Sequence, residues 1–226
     1  MHMKRYSMPG FWPLGRKVKK FVTTPLPGPH GKYQSIPLRV LVRDVLKYAN
    51  TTREAKAIIK SGEVMIDRKV VKEEAHPVGL MDVVELKSVK KHYRVMADHR
   101  GLMLTETSAS EASKKLCRVK GKKIIRGGRL QISLHDGRCI IVGKENKYKP
   151  GDSVLIELPG QKILHHWQVK IGSPAMIVSG KNIGKSGRIK SIYERKRMQE
   201  KSRIVIETKK GEIETLRDYV LVGEVK

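Results

Sequence analysis

The sequence predicts an α+β protein, mainly β, on three observations. Apolar residues recur at helical spacing chiefly over residues 38–60. From residue 64 onward, short apolar segments alternate with Gly, Pro and Asp turn signals. The first 36 residues carry Pro and Gly too densely for long helices or ladders. With 226 residues, the chain has room for between one and two domains of the usual ~150.

Residues 1–36 hold Pro9-Gly10, Pro13, Pro25 and Pro27-Gly28-Pro29 around the tract Arg16-Lys17-Val18-Lys19-Lys20. Lys4, Arg5 and Lys32 add charge, and no acidic residue offsets it. A basic tract of this kind reads as an arm that is disordered alone and ordered by a polyanionic partner. The alternative is an arm packed on its own body through Phe11, Trp12 and Phe21. On the first reading, removing residues 1–32 weakens binding to that polyanion and leaves the melting temperature nearly unchanged.

Residues 37–91 predict a helical unit closed by strands. Ser35 before Pro37 reads as a cap with proline in the first turn. Leu38, Val42, Val45 and Ala49 then fall on one helical stripe, while Arg39 and Arg43 line another. Thr51 and Glu54 form a capping-box pattern. Ala55, Ile58 and Ile59 make the next apolar face, and Ser61-Gly62 stops the helix. Arg53, Lys56 and Lys60 share a face by their i, i+3 and i+4 spacing, suited to a phosphate backbone or simply to solvent. Val64-Met65-Ile66, Val70-Val71 and Val83 to Leu86 read as strands.

Residues 92–171 predict a small antiparallel β domain, from apolar segments Tyr93 to Ala97, Leu102 to Leu104, Leu130 to Leu134, Cys139 to Val142, Val154 to Leu158 and Ile163 to Val169. Ser108 and Glu111 mark a short helix running towards Leu116. Lys114 to Arg129 is the densest cationic stretch, with Lys120, Lys122, Lys123, Arg126 and Arg129 beside Gly121 and Gly127-Gly128. Cations next to glycines let side chains and backbone amides reach phosphates together. In residues 172–226, Gly180 to Gly187 imitates the tail of a P-loop. The first glycine of that signature falls on Ser179, however, and Arg188 to Ile192 reads as a strand where a helix is required. Lys181, Asn182, Lys185 and Arg188 are instead candidate phosphate contacts in a glycine loop. Arg195, Lys196 and Arg197 form a basic insertion between later strands.

Charge narrows the function further. The formal net charge is +26, with 48 basic and 22 acidic side chains. Segments 1–36, 37–91, 92–171 and 172–226 are each positive, which argues for a polyanion footprint along the whole chain. No apolar run approaches the ~20 residues of a membrane helix, and no apolar stretch follows the first charges as in a secretory signal. Two cysteines, Cys117 and Cys139, support neither a disulfide framework nor a CxxC metal site. His165 and His166 are adjacent in a strand and so point to opposite faces, unsuited to a shared metal. No carboxylate pair or nucleophile motif is present, so no catalytic residue, metal or cofactor is expected.

Leu46-Lys47-Tyr48-Ala49, Ala55 to Gly62 and Val64 to Asp67 resemble the RNA-binding domain of ribosomal protein S4 and its relatives, although Arg68 stands where that family often has glycine. The glycine loop between two strands resembles the KOW motif of SH3-like barrels. Gly180, Gly184 and Gly187 there are expected to supply positive φ and close backbone approach. With Gly28-Pro29-His30, Gly79 to Val83 and Lys115 to Val119 in register, the whole chain resembles the S4e family of small-subunit ribosomal proteins, and its ending soon after the barrel favours an archaeal type. That resemblance implies an S4-like unit, a central β domain and a C-terminal KOW barrel. It implies a structural, non-enzymatic component of the 30S subunit in the cytoplasm. Its partners are small-subunit rRNA and neighbouring ribosomal proteins, with neither membrane nor small-molecule substrate. An RNA-modifying enzyme would need a large catalytic domain, for which only 92–171 is free. A KOW-containing transcription or translation factor would need a neutral or acidic protein-facing surface.

Overall fold

The computed structural model describes residues 2–99, 101–143, 147–195, 197, 199–208 and 211–224. They form two compact units, one of Met1–Met96, Arg100–Lys115 and Leu158–Gly160, the other of Ala97–His99, Leu116–Glu157 and Gln161–Lys226.

In the first unit the N-terminal segment is not a loose arm. Strand β1 (His2–Lys4) pairs antiparallel with β2 (Phe21–Thr23). The loop between them is drawn together by Arg5, whose backbone N–H donates to Lys20 O and whose Nε donates to Gly15 O at 2.7 Å. Met8, Trp12 and Val22 enter the same core as Ile36, Leu38, Leu41 and Ile59. Trp12 is 3% exposed and its Nε1 donates to Ser35 O at 2.9 Å. This corrects the expectation of disorder: a buried indole with its N–H satisfied outweighs local Pro and Gly content. Of the three aromatics considered as anchors, Trp12 serves fully and Phe11 in part, while Phe21 stays 45% exposed. Deleting residues 1–32 is therefore expected to lower the melting temperature. Trp12→Ala alone should cost roughly 3–5 kcal/mol in denaturant unfolding.

A second difference concerns the first helix. Ser35–Pro37 is strand β3, paired antiparallel with β6 (Pro77–Gly79), and Ser35 Oγ donates to Gly31 O instead of capping. Helix α1 (Leu38–Val40) widens at once into a π turn over Leu41–Val45. Leu46 N–H donates to Leu41 O, and Lys47 at φ 57° then turns the chain. The apolar stripe is buried as expected at Leu38 and Val42, but the helix ends before Ala49. Helix α2 (Thr52–Lys60) follows the predicted pattern. Thr51 Oγ1 accepts from Glu54 N–H, and the Glu54 carboxylate accepts from the backbones of Asn50 and Thr51, which hold it below its ordinary range. Gly62 at φ 83° ends the helix.

Strands β4 (Val64–Ile66), β5 (Lys69–Val70), β7 (Val83–Leu86), β8 (Lys91–Asp98) and β9 (Gly101–Thr107) make one sheet in the order β5-β4-β7-β8-β9. The β4–β5 hairpin turns on Asp67 (φ 50°) and Arg68 (φ 65°), a mirror-image turn made without glycine. Its side chains hold it. Asp67 accepts from Val83 N–H, while Arg68 pairs with Glu85 and donates to Ala109 O.

Ser108 caps helix α3 (Ala109–Ala112), which lasts one turn. The basic stretch after it, for which the sequence predicts no strand, forms strand β10 (Lys114–Ile124), the longest in the molecule among the described residues. Its first half is buried at Lys115, Leu116, Cys117 and Val119, and its second half, from Lys120 on, is largely exposed. With β11 (Leu130–Leu134), β12 (Cys139–Val142), β13 (Ser153–Glu157) and β14 (Ile163–Trp167) it forms a sheet ordered β12-β11-β10-β13-β14. The last sheet is antiparallel throughout, ordered β18-β17-β16-β15-β19. Its strands are β15 (Pro174–Ile177), β16 (Ser186–Tyr193), β17 (Arg203–Thr208), β18 (Gly211–Leu216) and β19 (Val220–Val222). Ala175, Ile177, Ile189, Ile204, Ile206, Val220 and Val222 fill its core. Residues 186–193 being strand removes the helix a P-loop requires.

Candidate nucleic-acid interface

In the first unit, α2 presents Arg53, Lys56 and Lys60 to solvent on the face opposite Ala55 and Ile59. The amphipathic pattern thus orients the cations: burying one stripe exposes the other. Lys4, Arg16, Lys17, Lys19 and Lys20 are also exposed. Arg5, Arg39 and Arg43 are placed differently. Arg5 is 4% exposed and ties the N-terminal loop together. Arg39 pairs with Glu74 at 3.0 Å, and Arg43 with Asp44 at 2.7 Å, both half-buried.

In the second unit, β10 and β11 form a hairpin whose far end carries Lys120, Lys122, Lys123, Arg126 and Arg129, all exposed. Gly127 and Gly128, at φ 83° and 69°, make its turn. No acidic residue lies between Glu111 and Asp136, so the hairpin carries no internal counter-charge. Arg118, in the same stretch, instead donates to Asp218. The glycine loop before β16 is closed by Gly184 N–H donating to Ile177 O and Ile177 N–H to Lys185 O. Lys181 and Lys185 are exposed, and Lys185 Nζ donates to Asn182 Oδ1 at 2.8 Å. Gly180 and Gly184 take positive φ as expected, but Gly187 does not. Its need is space, because a Cβ there would lie 2.1 Å from Glu207 O across β17. Arg188, Arg195 and Arg197 are exposed, and Lys196 lies outside the described residues.

A buried ion cluster in the first unit escapes sequence reasoning. Lys115 Nζ lies 2.7 Å from Asp67 and 2.6 Å from Asp82, and His30 Nε2 lies 3.0 Å from Asp82. All four side chains are buried. Burial would push the Asp82 carboxyl up, but the Lys115 ammonium and the His30 imidazole outweigh it and hold it well below the carboxylate range. His30 packs over Gly79, where a Cβ would meet its ring at 2.3 Å. His30 from Gly28-Pro29-His30, Gly79 and Asp82 from Gly79 to Val83, and Lys115 therefore meet at one point. Those stretches are distinctive in the sequence, yet nothing in them shows that they touch. Lys115, counted among the surface cations of its stretch, is a core residue.

Cys117, His135 and Asp136 bring ligand-type atoms within 4.8 Å of one another, a grouping that spacing does not reveal. Arg138 pairs with Asp136 at 3.3 Å, and His135 Nδ1 accepts from Arg118 N–H. Cys117 Sγ–H also donates to Asp136 Oδ2 at 3.7 Å, and the cluster reads as a hydrogen-bonded corner. His166 is likewise engaged, with Asp152 at 2.9 Å. No helix among the described residues is long and apolar enough to cross a membrane.

The fold and the distribution of charge define a basic protein that joins an S4-type helical unit to β sheets edged with exposed cations. Family models match in three places: the RS4NT (NUC023) domain at residues 1–33, the S4 domain at 38–84 and Ribosomal family S4e at 89–163. The small ribosomal subunit protein eS4 of Methanocaldococcus jannaschii is 43% identical over 230 residues, covering 98% of this chain and 93% of that one. The eS4 of Archaeoglobus fulgidus is 40% identical, with 98% and 92% covered. The crystal structure of the 30S ribosomal protein S4e from Thermoplasma acidophilum superposes with a TM-score of 0.72 at 32% identity, over 84% of this chain and 94% of that chain. The chain belongs to the eS4 (S4e) family of small ribosomal subunit proteins. That family is a class of structural ribosomal proteins, not of enzymes.

Proposed function

We propose that this chain is a structural constituent of the small ribosomal subunit and binds its rRNA, with neighbouring ribosomal proteins as further partners, in the cytoplasm. The observation that carries the reading is the exposure of cations on α2, on the β10–β11 hairpin and around the glycine loop, in a chain of net charge +26. An excess of that size repels itself until a polyanion neutralises it. The four-part division into 1–36, 37–91, 92–171 and 172–226 supports the same reading, each part bringing its own positive surface. The sheet β18-β17-β16-β15-β19 is read as an SH3-like barrel of KOW type, supported by its five antiparallel strands and by the tight Gly180 to Gly187 loop. Arg5, buried, supports the fold of the N-terminal segment; its neighbours Lys4 and Arg16 to Lys20 reach the RNA.

Cosedimentation with small-subunit particles tests this. The wild-type chain is expected to pellet with 30S particles in low salt and to leave them in high salt. Arg53→Glu, Lys56→Glu and Lys60→Glu together should shift the protein to the supernatant without lowering its melting temperature. A chain that stays in the supernatant at all salt concentrations would refute the proposal.

A further inference from the structure

Between the N-terminal ribbon and the first helix of the first unit lies a cavity of about 390 Å³ whose walls divide by chemistry. Lys19, Arg39 and Arg43 make it cationic, Phe21 and His2 give it an aromatic side, and Thr52 adds a hydroxyl. Among the described residues no carboxylate lines it. Both guanidinium planes are already held. Arg39 Nε donates to Thr23 Oγ1 at 2.7 Å, and its Nη1 reaches Glu74. Arg43 Nη1 donates to Thr52 Oγ1 at 2.6 Å, and its Nε and Nη2 reach Asp44. A ligand thus meets donors whose ordering has been completed in advance, which lowers the entropic cost of binding. Glu74 and Asp44 leave the arginines as directional donors, with Lys19 supplying the uncompensated charge.

The aromatic side is open. Phe21 is 45% exposed although it sits in a strand, with His2 edge-on at 4.8 Å and the Lys20 ammonium 5.5 Å from its centroid. An exposed phenyl ring beside fixed cations matches the two halves of a nucleotide, a base with a π face and a phosphate with negative charge. The volume suits a small ligand and excludes a duplex.

We propose that this cavity receives one unstacked nucleotide of the bound RNA, its base against Phe21 and its phosphate against Lys19 and Arg43. This rests on the rRNA-binding reading and adds to it a base contact that backbone recognition alone lacks.

The test uses the full chain and two synthetic RNA stems, one with a single bulged uridine and one fully paired. The wild type should prefer the bulged stem by about tenfold, the order expected for one base stacked on an aromatic ring. Phe21→Leu should bind both stems equally, with the salt dependence on the paired stem and the melting temperature unchanged. Phe21→Trp should restore the preference. Equal binding by the wild type, or a preference that survives Phe21→Leu, overturns the nucleotide site if salt-dependent binding to both stems persists. Absence of salt-dependent binding to either stem overturns the rRNA reading together with it.

Discussion

Lys115→Met is expected to destabilise the first unit by about 3–5 kcal/mol, read from the shift of its denaturant midpoint. The ammonium lies within 2.7 Å of two carboxylates, and none of the three side chains is more than 5% exposed. Removing it leaves Asp67 and Asp82 buried without their cation, so the loss is larger than the net worth of the pairs. Asp67 also holds the β4–β5 turn at positive φ, so the damage should spread to that hairpin. Acid sensitivity provides a second readout. In the wild type Asp82 is held below its ordinary value of 3.8, so its stabilisation is complete above that pH and declines as pH falls below it. Without Lys115, Asp67 loses its cation and Asp82 keeps only His30 against its burial, so both carboxyls rise. The variant should then gain stability, relative to wild type, as pH falls through the carboxylate range. Asp67→Asn and Asp82→Asn added to Lys115→Met should recover part of the loss, because the buried negative charges that Lys115 balanced are gone.

Replacing Lys120, Lys122, Lys123, Arg126 and Arg129 with Gln is expected to weaken rRNA binding by on the order of a thousandfold near 0.1 M salt. Each phosphate contact contributes roughly 0.7–0.9 to the log-log salt slope, and five lost contacts subtract about 3.5–4.5 from it. The hairpin is suited to this because β10 and the turn after it carry exposed cations and no carboxylate lies between Glu111 and Asp136. The loss should be similar for different RNA sequences, since phosphate contacts position without reading bases. Leu130, Ile132 and Leu134 anchor the hairpin from its buried face, so the melting temperature should hold.

What was legible in the sequence is local. The Thr51–Glu54 capping box, the Gly62 stop and strands β4, β5, β7 to β9, β11 to β14 and β16 follow from periodicity and turn chemistry that act over a few residues. The α2 cations followed too, because a buried stripe dictates its exposed opposite. The misses are non-local. Trp12 looks like an arm residue until Ser35 O is found 23 residues away. Lys115 resembles its basic neighbours until Asp67 and Asp82 are placed beside it, 48 and 33 residues distant. Ser35 lost its expected cap to strand pairing with Gly79, a tertiary partner overriding a local signal. The missing turn glycine at Arg68 had little consequence, because Glu85 and Ala109 hold that side chain from elsewhere in the fold.

Titrating small-subunit rRNA with the full chain from 50 to 200 mM salt addresses the central claim most directly. If exposed lysines and arginines are discharged on phosphates, six to ten contacts should cost about 10³–10⁵ in affinity across that range. An affinity that stays constant across it would show that the positive surface is not what holds the RNA.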